Sequence, residues 1–260
     1  MRGMYWETMS QLYDWVLKDL DLRNKVVLDA AVGAGWATRF WAEQVHEQGG
    51  TSKMISIDTD FPGEWKEKIM THLGEYGKYV QLREADIFDL PFDSESMDIV
   101  NCDDTLVFLN PTPLKLLTAL KEFYRVLKPS GELIIASETT VDLSPEDEGQ
   151  WRRWNLAKAI YDLKGETWST EPRPGEVKSA LKILGFDVYD QKIFPKIKNT
   201  RTYLNCINEW KEIMLNDISK LQWDSLKEGL TRSVEEIYEK VKKDGFMMNP
   251  PMYVLKCKKS

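Results

Sequence analysis

The order of segments along this chain predicts an α/β fold, a doubly wound and mostly parallel sheet with helices on its faces, and three observations predict it. Short apolar strands alternate with longer segments of helical period. The first strand runs directly through a glycine-rich turn into a helix, and the strands read at 26–28, 54–57 and 97–102 each stop at an acid. With 260 residues, 42% of them hydrophobic, the chain suffices for one large domain with a sizeable core.

The stretch from Lys25 to Phe40 organises the rest. Val26, Val27 and Leu28 form a branched apolar run that stops at Asp29 and passes through Ala30, Ala31, Gly33, Ala34 and Gly35 into a segment with Trp36, Phe40, Trp41 and Val45 at helical spacing. Glycines let a backbone approach a ligand closely, and the helix start beside them offers unpaired N–H groups. A dinucleotide fingerprint would carry a third glycine where this chain has Thr38. An acid just before the turn suits a cationic or zwitterionic ligand better than a diphosphate, because like charges repel strongly in a site of low dielectric.

Read as D-x-x-x-G-x-G over Asp29, Gly33 and Gly35, the stretch resembles motif I of the class I S-adenosylmethionine-dependent methyltransferases. Ala31 stands where that family usually has its first glycine, and alanine is expected to tolerate ordinary strand-end dihedrals there. The resemblance implies a Rossmann-like, seven-stranded, mostly parallel sheet. It also implies S-adenosyl-L-methionine as cofactor, held by Asp29, Ala31, Gly33 and Gly35 at this turn.

Taken in order, residues 4–20 carry Tyr5, Met9, Leu12, Tyr13, Val16, Leu17 and Leu20 near helical spacing, an amphipathic helix ahead of the first strand. Such a stripe serves a core; in the resembled family an N-terminal helix also reaches over the ligand, which makes Tyr5 and Tyr13 substrate candidates. The second strand ends at Asp58, where a carboxylate accepts from both ribose hydroxyls in nucleoside-binding folds. Thr59 follows it at the same place, and Asp60 is an alternative acceptor. A helix is expected over 62–76 with His72 on its outer flank, then a short strand over 79–82.

The segment READIFDLPFDSESMDIV is the second resemblance to the family, and it implies that Asp86 accepts from the adenine amino group while Ile87 packs on the ring. The strand from Met97 to Cys102 ends at Asp103 and Asp104, on the edge where open parallel sheets bind ligands. Asp103 suits the cofactor's amino group; Asp104 is a substrate candidate. Val107 and Phe108 stand where related small-molecule enzymes often have histidine, so this loop offers no imidazole base. Thr112 and Pro113 read as a helix start, with Leu114, Leu117, Leu120, Phe123, Tyr124 and Leu127 as its buried stripe. The stretch from Glu122 to Ala136 then resembles the family's R-V-L-K-P-G-G turn into the fifth strand, with Ser130 for a glycine.

The domain reading is one methyltransferase domain over 1–260, with a nucleotide-binding core at 21–137 and helical insertions at 138–170 and 198–248 forming a cap. Ser144, Pro145 and Glu146 read as a helix start, after which Trp151, Trp154, Ala157 and Tyr161 share one face. Glu138, Trp151 and Trp154 are therefore further substrate candidates. Helical patterns over 205–220 and 225–243 make the second insertion, and a last strand beside the sixth closes the chain.

Bulk properties narrow the function classes. A formal net charge of -7 opposes a polyphosphate partner, so nucleic acid is not the expected substrate. Three cysteines, far apart, form neither a disulfide framework nor a zinc spacing with the two histidines, and no metal site is expected. The absence of a long apolar run predicts no membrane insertion and a cytoplasmic protein. The expected activity is in-line methyl transfer to a small-molecule acceptor, with Asp103, Asp104, Glu138, Tyr5 and Tyr13 as candidates to take a proton. A non-catalytic scaffold that keeps the nucleoside site and a nicotinamide oxidoreductase are the alternatives.

Overall fold

The computed structural model describes residues 4–109, 113–139, 148–166, 171–195 and 197–260. In chain order the elements are α1 (Met4–Leu17), β1 (Val26–Ala30), α2 (Trp36–Glu47), β2 (Lys53–Asp58), α3 (Trp65–Leu73), β3 (Val80–Glu84), β4 (Met97–Asp103), α4 (Leu106–Leu109), α5 (Pro113–Val126) and β5 (Leu127–Glu138). Then follow α6 (Glu148–Lys164), α7 (Pro174–Ile183), β6 (Phe186–Phe194), β7 (Ile197–Asn199), α8 (Tyr203–Ser219), α9 (Asp224–Asp244), β8 (Met247–Asn249) and β9 (Met252–Lys259). They fall into two compact units. A sheet unit comprises Met9–Thr139, Glu171–Phe194 and Met252–Ser260; a helical unit comprises Met1–Thr8, Thr140–Thr170 and Pro195–Pro251.

The sheet unit holds a seven-stranded sheet in the order β3-β2-β1-β4-β5-β9-β6. Its first five strands pair in parallel, and β9 lies antiparallel between β5 and β6. The chain winds outward from β1 to β3, then returns to β4 on the other side of β1. This reversal opens a crevice beyond the carboxyl ends of β1 and β4. Covered on both faces, β1 buries Val27, Leu28, Asp29 and Ala30 in succession, as strands of parallel sheets do. Asp98 ties the opposite edge together: its carboxylate accepts from the Val26 N–H at 2.9 Å and pairs with Lys128 Nζ at 2.8 Å.

Several elements differ from the expectation for identifiable reasons. The helix expected over 62–76 is shorter, because Gly74 at φ 58 ends α3 and the chain continues as a 3-10 turn, Gly74–Tyr79. His72 is not an outer-flank residue: it is half-buried with its ring edge-on to Trp36, centroids 4.3 Å apart, and burial lowers its pKa. In α5 the buried line is Leu116, Ala119, Leu120, Phe123 and Val126, whereas Leu114 and Leu117 are 75% and 38% exposed. Two adjacent apolar stripes of equal period compete on that helix, and only packing selects one. The helix starts assigned to Thr112 and to Ser144–Glu146 lie outside the described residues.

The helical unit packs α6, α8 and α9 around Ala157, Ile160, Met214, Ile218 and Val234. Here α6 turns Gln150, Arg153, Ala157 and Ile160 inward; Trp151 is exposed and Trp154 half-buried, so the aromatic face read from the sequence is rotated. A small two-stranded sheet of β7 and β8, which the periodicity did not reveal, belongs to the same unit. No described helix is long and apolar enough to cross a membrane.

Burial works to raise the Asp98 pKa, but Lys128 and the Val26 N–H outweigh it and hold the carboxyl below its ordinary value. Asp98→Asn is expected to cost about 1–2 kcal/mol at neutral pH. A depressed folded pKa stabilises fully above the unfolded pKa and loses that contribution as pH falls through the folded one. Urea midpoints of wild type and variant should therefore converge below about pH 4.

Candidate active site

Five residues between β1 and α2 build the ligand-facing turn. Ala31, Gly33 and Gly35 all have left-handed backbone, φ 66, 49 and 80. The Val32 N–H donates to the Ile57 carbonyl at 2.8 Å and the Gly35 N–H to the Val32 carbonyl at 2.8 Å, which folds the turn back against β2. A Cβ at Gly33 would meet nothing within 4 Å, whereas one at Gly35 would come within 3.2 Å of Ile69 Cγ2. Gly33 therefore borders open space, and Gly35 is required by packing on α3. The α2 start has no side-chain cap. Its first N–H groups are left for a ligand or water. Ala31 corrects the sequence reading: the position demands a left-handed residue, a conformation costing an L side chain about 1–2 kcal/mol.

Beneath the turn, Asp29 is 1% exposed. Its Oδ2 accepts from Thr38 Oγ1 at 2.6 Å and its Oδ1 from Asn101 Nδ2 at 2.9 Å. One carboxyl thus links β1 to the first turns of α2 and to the middle of β4. Burial pushes its pKa up, and the hydrogen bonds from Thr38 and Asn101 counter that. Sequence reasoning treated Thr38 only as a missing glycine and passed over Asn101. The available signals were a hydroxyl on the inward face of α2 and one amide within the apolar run of β4.

Asp58, half-buried at the tip of β2, accepts from the Gly33 N–H and from the Thr59 N–H, both at 2.9 Å. The Trp65 indole N–H donates to the Gly33 carbonyl at 3.1 Å. Both polar groups of the Gly33 backbone are thereby held while the side away from them stays open. Thr59 is exposed. Past β3, the Ala85 N–H donates to the Asp58 carbonyl at 2.9 Å, and the exposed Asp86 carboxylate accepts from the Phe88 N–H at 2.9 Å. Ile87 is buried in the main core. Asp29, Asp58 and Asp86 thus stand at the same edge of three adjacent strands.

The tip of β4 adds two more acids. Asp104 has φ 47; its N–H donates to the Ala136 carbonyl at 2.8 Å and its carboxylate accepts from the Glu138 N–H at 3.2 Å. Burial, countered by that N–H and reinforced by Glu171, raises the Asp104 pKa to about 6. The Asp103 Oδ1 atom is buried without a hydrogen-bond partner among the described residues. Burial, then Asp104 and Asp29, push its pKa well up, and the Tyr13 hydroxyl works the other way. Tyr13, from α1, is 1% exposed and stacks on Phe40 with ring centroids 5.0 Å apart. The Tyr5 side chain lies outside the described residues. Trp151 and Trp154 belong to the helical unit.

These features fit a nucleoside carrying a charged tail. There is open space at Gly33, an uncapped helix start for an anionic group, and buried unbonded oxygens on Asp103 and Asn101 for a donor. Among the described residues no three His, Cys, Asp or Glu are grouped to hold a metal ion.

The sheet order and the turn are those of an open α/β core with a crevice at the carboxyl ends of β1 and β4, and known proteins are similar to it. Residues 28–135 match the family described as Methyltransferase domain. The ubiquinone/menaquinone biosynthesis C-methyltransferase UbiE of Neisseria meningitidis is 26% identical over 180 residues, covering 63% of this chain and 67% of that protein. An S-adenosylmethionine-dependent methyltransferase of Methanosarcina mazei shares the fold with a TM-score of 0.57 at 15% identity, over 94% of this chain and 96% of its own. The geranyl diphosphate C-methyltransferase of Streptomyces coelicolor, solved with S-adenosyl-L-homocysteine, does so with a TM-score of 0.54 at 13% identity, over 96% and 76%. Residues 28–135 are thus similar to the methyltransferase domain, and the sheet has the fold seen in S-adenosylmethionine-dependent methyltransferases.

Thr38→Val would leave the buried Asp29 Oδ2 without its donor and is expected to cost about 1–3 kcal/mol in urea unfolding, with Thr38→Ser retaining most of the stability. Ala31→Gly should instead stabilise the protein by up to about 1 kcal/mol, since relief of the left-handed alanine exceeds the added chain entropy.

Proposed function

We propose that this protein transfers the methyl group of S-adenosylmethionine in line to a small-molecule acceptor. The observation that carries the reading is the row of acids at the sheet edge beside an open glycine turn, within the segment that matches the methyltransferase family. The cofactor supplies a methyl group on cationic sulfur, and every other requirement falls to the chain. Asp58 accepts from the ribose hydroxyls while its bond to Gly33 keeps the turn in place. Asp86 reads the adenine amine, with Ile87 beside it. The uncapped start of α2 receives the carboxylate. Fixing the partners in line supplies about 7–11 kcal/mol of the barrier, and excluding water protects the sulfonium. Asp104, fixed by Glu138 and Ala136, is our candidate to take a proton from the acceptor.

Two comparisons support a small acceptor: one relative bears the name of a quinone-biosynthesis C-methyltransferase, and one fold neighbour acts on geranyl diphosphate. We assign part of the acceptor choice to Tyr13, which lies outside the matched core. The nicotinamide reading loses ground at Thr38, whose hydroxyl is engaged with Asp29 in place of the missing glycine.

Calorimetry should show S-adenosylmethionine binding, and Asp58→Ala should weaken it by about 10- to 100-fold. Incubation of the protein and methyl-labelled cofactor with a small-molecule extract should move label into a product. Tight binding with no label moved into any small molecule would favour the scaffold reading.

A further inference from the structure

The two edges of the seven-stranded sheet are unlike. At one, β3 is five residues long; at the other, β6 runs for nine, with β9 on one side and no strand on the other among the described residues. A long unpaired edge presents backbone N–H and C=O groups with which another strand can pair, and folds usually blunt it. Here Asp187 and every residue from Tyr189 to Ile193 are exposed. Ile193 is 45% exposed, and Ile183, at the end of α7 and beside the start of β6, is 81% exposed. Lys192 Nζ lies over the rings of Trp15 and Phe194, 5.9 and 4.8 Å from their centroids. Neither it nor Asp187 has an ion-pair partner among the described residues.

A bulge decides which residues of β6 share a face. Its pairing with β9 passes from Val188 opposite Cys257 to Asp190 opposite Lys256, so Tyr189 is an extra residue. Asp187 and Lys192 stand opposite Lys258 and Val254, four residues apart on β9, and therefore share one face. Phe186, Val188, Gln191 and Ile193, opposite Lys259, Cys257, Leu255 and Tyr253, share the other. Let two copies of β6 run antiparallel about a two-fold axis between Tyr189 and Asp190. Asp187 then meets Lys192, Phe186 meets Ile193 and Val188 meets Gln191, each pair occurs twice, and all lie on matching faces. An axis on Gln191 would instead set Val188 against Phe194, whose ladder partner Met252 puts it on the opposite face. Asp190, nearest the axis, has Lys256 of its own chain opposite it.

We propose that β6 is the docking edge for a second copy of this chain, the two strands pairing antiparallel in this register and joining two sheets into one. The occupant follows from charge. An edge guarded by lysines alone repels its own copy, whereas here acid and base change places under the two-fold and attract it. The ladder supplies backbone hydrogen bonds, and the paired charges fix the register. Ile193 of each copy comes to lie beside the partner's Phe186, at the strand end that Ile183 flanks, so the exposed apolar side chains of this edge are covered. All these residues belong to the sheet unit. The inference is independent of the methyl-transfer reading.

The test is sedimentation velocity on the full chain, from about 1 to about 100 μM at low salt, where wild type should show a dimer that dissociates on dilution. Asp187→Lys and Lys192→Asp, both at exposed positions, each set like charges opposite one another twice and should weaken the dimer about 10- to 30-fold. Mixing the two variants restores both opposite-charge pairs in the heterodimer, which should form about as tightly as wild type. That recovery is beyond a variant that has merely lost its fold. Independently, Val188→Cys with Gln191→Cys in one chain should give an oxidised covalent dimer, and Gln191→Cys alone should not. Wild type is the control, its Cys102 and Cys257 being buried and its Cys206 lying in the helical unit. A monomer at every concentration would overturn the proposal. So would a dimer indifferent to the single charge changes, a mixture that stays as weak as its components, or self-linking of Gln191→Cys.

Discussion

The Asp29 carboxyl, buried between Thr38 and Asn101, is the constraint on which the rest of the site depends. A charge-capable group in the middle of a parallel sheet is expensive, and here it adds side-chain hydrogen bonds from β1 to α2 and to β4, its ladder neighbour. The hydroxyl of Thr38 orients the start of α2, and the amide of Asn101 sets β4 against β1. The glycine turn hangs between these anchors. Its left-handed residues keep their shape because both ends are tied and Asp58 and Trp65 hold its middle.

Much of this was legible in the residues. The strand, turn and helix of Val26 to Glu47 follow from apolar runs and small residues. The acids at the edge were legible because strands that end at Asp29, Asp58 and Asp103 point their ends the same way in a parallel sheet. What periodicity does not carry is the choice between neighbouring stripes. Leu114 and Leu117 compete with Leu116 and Ala119 on α5, and Trp151 competes with Arg153 on α6; tertiary packing settles both. Backbone sign is equally invisible, which is why the demand on Ala31 emerges only from the turn geometry. The roles of Thr38 and Asn101 escaped because a hydrogen bond between distant strands leaves no local period.

The acids at this edge fall into two kinds. Asp58 and Asp86 are open enough to meet hydroxyl and amine donors, and both are fastened by backbone N–H groups of their own loops. Asp29, Asp103 and Asp104 are sunk deeper, and Asp103 feels the other two. Buried carboxyls in a chain with an overall charge of -7 disfavour an added anionic group beside them.

The antiparallel strand β9, lodged between β5 and β6, imposes an order of events on the growing polypeptide. Once synthesised, β6 has no neighbour in the sheet until the whole of α8 and α9 and the strands around them have been made, because its sole ladder partner is β9. The sheet is therefore completed across a long sequence gap, which slows assembly and leaves the β5 edge unpaired in the meantime. Any lesion that stalls the intervening helices would show itself as aggregation through an open strand edge, far from the altered residue.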